Sequence, residues 1–203
     1  MSCVEIYVIR TKDKEIVTDG GGDVRNAWLG CMHIWRSLEE KYLPSLPPFE
    51  WERPSEKEDK EKYRSRSCLM FDRSKMQEIW NLIYHPDLTW DERIVMQTTF
   101  DKGYIAYADI PEVASAYENV EFSNENMKQQ AEIFRKIYEA GKDGSVFGIY
   151  KNENSVCCAS DFCRYDEETG QMFIDDDKNW DYMVDLRSLR DNGYKVENNE
   201  EEK

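Results

Sequence analysis

Four oxygen-bearing side chains alternate at Asp175, Asp177, Asn179 and Asp181. The spacing imitates the opening of a calcium loop, where every second residue turns an oxygen toward one hard cation. Their oxygen count suits Ca²⁺ or Mg²⁺, so these four are the candidate metal ligands. Two places depart from the loop pattern. Trp180 stands where the sharp turn needs glycine, and Leu186 stands where a bidentate Glu closes the shell. As charge, the same stretch is simpler. Asp175, Asp176, Asp177, Asp181 and Asp185 share it with one basic residue, Lys178. Such a cluster repels itself until a cation offsets it, either a metal or the Lys and Arg of a partner. These five aspartates and Trp51, an aromatic set among charges between Pro48 and Pro54, are the expected partner-binding residues.

Other constellations fall short of their chemistry. Zinc needs four soft ligands in close-spaced pairs. Cys31 and His33, two apart on a helix, point about 200° away from each other. In the candidate Cys157-Cys158-x₄-Cys163, Cys157 and Cys158, adjacent on a strand, face opposite sides. A nucleophilic Cys needs a His beside it. The chain has only two, His33 and His85, and both are expected at surface or helix-end positions. Gly20-Gly21-Gly22 lacks the Lys and Ser or Thr of a phosphate loop, and Asp23 follows it, so a flexible turn is expected there. Trp28, Trp35, Trp80 and the remaining tryptophans at helical spacing are expected in the core. No motif calls for a cofactor, and no catalytic residue is singled out.

The charge is polarised along the chain. The net charge is −15; up to Lys75 there are 14 Lys and Arg against 14 Asp and Glu, and from Met76 onward 13 against 28. An acidic half repels nucleic acid and anionic lipid and attracts basic protein surfaces. Direct nucleic-acid binding is not expected, because no basic stripe accompanies the aromatics. No apolar run spans a bilayer, and Met1-Ser2-Cys3-Val4-Glu5 does not resemble a signal peptide. A reducing, cytoplasmic setting and six free thiols are therefore expected. The function expected is non-catalytic binding of a basic protein surface, as by an inhibitor or immunity-type protein that covers a nucleic-acid channel. The competing expectation is an enzyme with an acidic pocket that uses a divalent metal.

The elements that must position these residues follow from periodicity. Cys3 to Arg10 alternates as a strand, Thr11–Lys14 turns, and Glu15–Thr18 returns, with a break from Asp19 to Gly22. Val24, Ala27, Trp28, Cys31, Met32, Trp35, Leu38 and Tyr42 line one face of a helix over 23–43, capped by Asp23 and stopped by Pro44. An extended connection over 44–48 and an exposed charged insertion over 50–67 follow, then a short apolar strand over 68–71. Ser74–Gln77 and Thr89–Glu92 are capping boxes that open helices, the first striped by Met76, Ile79, Trp80 and Ile83. A short strand is expected over 104–107, and Pro111 opens a helix reaching about Tyr117. Ser123 is expected to cap the next helix, which Gly141 closes. Val146 to Tyr150 is a strand, Lys151–Asn154 a turn, and 155–160 a returning strand. Cys163–Tyr165 and Gln171–Ile174 form a hairpin. A last helix spans 180–190. The order predicts an α+β fold with a mainly antiparallel sheet packed against several helices, a single domain over 1–193 and a disordered acidic tail over 194–203.

Overall fold

The computed structural model describes residues 3–25, 27–43, 81–98, 104–153, 163–177 and 186. Strand β1 (Cys3–Arg10) turns Val4, Ile6 and Val8 to one face as its sequence demands and buries Ile9 on the other face as well. It pairs antiparallel with β2 (Glu15–Arg25) on one side and with β4 (Val146–Glu153) on the other. With β3 (Tyr104–Ala106), β5 (Cys163–Tyr165) and β6 (Met172–Ile174) it completes a six-stranded sheet in the order β3-β4-β1-β2-β6-β5. Every pairing among the described strands is antiparallel. The described helices are α1 (Ala27–Tyr42), α2 (Trp90–Gln97), α3 (Ile110–Asn119) and α4 (Glu125–Ala140). The architecture is the expected α+β.

Two hydrophobic clusters divide at the sheet. Val4, Ile6 and Val8 on one face of β1 join Val24, Ile105 and Ile149 and meet Trp35, Leu38, Ile94, Tyr117 and Phe134 from the four helices. The opposite face carries a smaller cluster of Ile9, Ile16, Tyr104, Tyr150, Cys163 and Ile174. In it, Tyr104, Tyr150 and Tyr7 stand in one cross-strand row, because Tyr150 is the register partner of both. The Tyr7 and Tyr150 rings stack with centroids 5.5 Å apart. Aromatic neighbours of this kind each add a few tenths to about 1 kcal/mol to strand pairing.

Several local expectations are corrected. The glycine triplet does not break the chain. Strand β2 runs through it, with an irregularity where β1 passes from Ile6 to Val8. Gly21 lies so close under β1 that a Cβ there would stand 2.0 Å from the Ile6 carbonyl oxygen, so pairing requires the missing side chain. Asp23 is consequently no helix cap. It pairs with Glu5 inside the sheet, Val24 is buried in the strand, and α1 begins only at Ala27. Helix α4 is capped by Asn124, whose side-chain oxygen accepts the Met127 N–H at 3.0 Å. Ser123 instead donates to the Tyr117 carbonyl at 2.7 Å. Gly141 does close α4 as its C-cap, its N–H donating to the Ile137 carbonyl, but with an ordinary φ of −85°; the left-handed turn falls on Gly144 at φ +86°. Strand β4 continues through Glu153, so Lys151 and Asn152 are sheet residues rather than a turn.

The Thr89–Glu92 box forms as predicted, with both reciprocal bonds present. Pro111 lies in the first turn of α3, and the β5–β6 hairpin turns at Gly170 with φ +73°. The connection over 44–48, the insertion over 50–67, the strands over 68–71 and 155–160, the Ser74 box with Met76, Ile79 and Trp80, and the tail over 194–203 lie outside the described residues. So do the side chains of Trp28, Cys31 and Met32 and the last helix, apart from a helical, buried Leu186.

Candidate functional site

The acidic stretch begins where the β5–β6 hairpin returns. Asp166 organises its tip: the carboxylate accepts the Glu168 and Thr169 N–H groups at 3.0 Å each. The backbone bond from Thr169 leads in holding this carboxyl below the usual range. Glu167 and Glu168 are left exposed at the tip. The chain then returns along β6, and the Ile174 N–H donates to the Lys14 carbonyl at 3.0 Å. This places Asp175, Asp176 and Asp177 beside the β1–β2 turn. Asp13 and Lys14 close that turn with positive φ of 58° and 52°. The Lys14 ammonium pairs with the Asp176 carboxylate and lies 5.2 Å from the centre of the Phe147 ring. Asp175 turns back on its own loop, accepting the Asp177 N–H at 3.2 Å. Asp177 is exposed.

Three of the five predicted aspartates thus share one turn, but their roles differ. Part of the charge is already offset from within the chain, by a lysine 162 residues away in sequence. Asn179, Asp181, Asp185 and Trp51 lie outside the described residues. Among the described residues no group of three or more His, Cys, Asp or Glu is placed to hold a metal ion. The hairpin acids Glu167 and Glu168 were not singled out from sequence, although the run Asp166-Glu167-Glu168 was a visible signal.

Both histidines turn out to join elements. His33 is half-buried on α1, not a surface residue. Its Nε2 lies 2.8 Å from the Phe122 carbonyl, which can only accept, so Nε2 carries the proton. His85 packs on Tyr42 with ring centres 4.8 Å apart, and its Nδ1 accepts the Asp87 N–H at 3.3 Å. Its carbonyl accepts from Arg93 Nη2 at 2.7 Å. Of the cysteines, Cys163 is buried in the smaller core and Cys3 is half-buried at the start of β1. Burial, followed by Asp23 and Glu5 nearby, pushes the Cys3 thiol up. The side chains of Cys31, Cys68, Cys157 and Cys158 are outside the described residues.

Among the buried charged residues, Glu92 and Lys151 anchor clusters that the sequence did not reveal. Glu92, 2 % exposed, sits at the third position of α2 and serves three donors. Lys41 Nζ approaches Oε1 at 2.8 Å, while the Tyr42 hydroxyl and the Thr89 N–H donate to Oε2 at 2.6 Å and 2.9 Å. Burial alone would raise this carboxyl. The bonds from Lys41, Tyr42 and Thr89 together outweigh it and hold the group below its ordinary value. Burial and the hydrogen bond to Glu92 push the Tyr42 phenol up to about 12. The other group is Lys151, 2 % exposed, on the helix-facing side of β4. Its ammonium donates to the Thr98 carbonyl at 2.5 Å and to the Tyr117 hydroxyl at 2.9 Å. Thr98 ends α2, so the cation meets the negative end of a helix dipole. Both clusters have a structural explanation: one joins α1 to the start of α2, the other joins β4 to its end.

The fold class is therefore an antiparallel α+β sheet with helices against one face and an acidic hairpin at one edge. No family model, curated protein or solved structure matches the chain. Among the described residues no helix is long and apolar enough to cross a membrane.

Proposed function

We propose that the protein acts without catalysis of its own, by binding a basic protein surface through the carboxylates of the β5–β6 hairpin and the turn after it. The observation that carries this reading is the exposure of Glu167, Glu168 and Asp177, none of which makes an ion pair among the described residues. They lie in the half of the chain that holds the whole negative excess. The Lys14 contact fixes Asp176 beside them and holds the loop against the sheet. A prearranged carboxylate surface loses little freedom on docking, and its field speeds encounter with a cationic partner. A nucleic-acid channel, rich in Lys and Arg, is the kind of surface it would fit, as for an inhibitor or immunity-type protein. A cytoplasmic setting belongs to the same reading.

The test is capture of a partner from the native host at low salt, followed by kinetics with the purified pair. The variant Glu167→Gln, Glu168→Gln, Asp177→Asn should associate at least about tenfold more slowly at low ionic strength, with a flatter salt dependence. A parallel variant, Asp175→Asn with Asp176→Asn and Asp177→Asn, probes the turn. Unchanged association in both variants overturns the reading.

A further inference from the structure

We draw no further inference here: the strongest candidate, the buried Lys151–Tyr117–Thr98 side-chain cluster between β4 and the ends of α2 and α3, is accounted for by closing the last turn of α2, and no second observation among the described residues points it at a ligand.

Discussion

Gly141 and Gly144 stand three residues apart and are glycines for different reasons. At Gly141 the backbone is ordinary, but an added Cβ would lie 2.6 Å from Val146 Cβ and 2.7 Å from the Tyr107 ring. At Gly144 nothing lies within 4 Å, but φ is +86°. Gly141→Ala should therefore cost about 1 to 3 kcal/mol through overpacking. Gly144→Ala should cost about 1 kcal/mol through backbone strain alone. Urea unfolding of the two variants checks the order; equal costs would mean that the 141 site relaxes freely. Glu92 offers a second test at this scale. Its folded carboxyl is held below the unfolded value, so the unfolded chain binds more protons in that interval. The stabilisation is present above the unfolded value of about 4.3 and is lost as pH falls through the folded one. Glu92→Gln can keep the bond back to the Thr89 N–H but loses the charge. It should cost less than Glu92→Ala and flatten the acid limb of a stability–pH curve. A Gln variant with an unchanged acid limb would remove Glu92 from the account.

At the scale of elements, the helices are held by contacts between segments far apart in sequence. Helix α2 is the clearest case. Its first turn is closed locally by the Thr89–Glu92 box and from α1 by Lys41 and Tyr42. Its last turn is closed from the sheet by Lys151. Removing that lysine takes away the charged donor and leaves the Thr98 carbonyl and the Tyr117 hydroxyl with only each other's residue as donor, at 3.2 Å and 3.0 Å. Lys151→Ala should cost about 2 to 4 kcal/mol. Lys151→Met should lose less, since it restores the buried stem without the ammonium. Chemical denaturation of both variants measures the difference, and a Met variant as damaged as the Ala variant would assign the loss to the charge itself. The same scale explains the misplaced cap of α4. Ser123 and Asn124 are both good capping residues. The choice between them depends on the Tyr117 carbonyl, which takes the Ser123 hydroxyl and leaves Asn124 to the helix.

For the whole molecule the governing quantity is the net charge of −15. Exposed ion pairs such as Lys142–Glu139 and Arg135–Glu118 offset little of it, because each is screened by water. The folded state concentrates repulsion that the unfolded chain relieves by expansion. Raising monovalent salt from about 0.01 M to about 0.15 M shortens the screening length from about 30 Å to about 8 Å. The melting temperature should therefore rise by roughly a few degrees over that range. A thermal scan in KCl tests this, and a flat or falling response would show that local pairs dominate the electrostatics.

Sequence alone determined what depends on neighbours along the chain. The alternation of β1, the Thr89–Glu92 box, Pro111 in the first turn of α3 and Gly170 in the last hairpin are short-range patterns, and each formed as its residue types required. The absence of a strict alternation of strand and helix signals also sufficed for the antiparallel α+β class. Tertiary structure decided what depends on a distant partner. Strand β2 crosses three glycines because the Ile6 backbone lies against Gly21. Lys151 and Asn152 are strand residues because β4 pairs there with Ile6 and Glu5 of β1, far away in sequence. In the candidate site the carboxylates were plain in the sequence, but their division of labour was not. Asp176 is neutralised by Lys14 while Asp177 and the hairpin glutamates remain exposed, and only the pairing of β6 with β2 brings that lysine within reach. Local propensity acts over a few residues, whereas an ion pair forms wherever the fold brings opposite charges together.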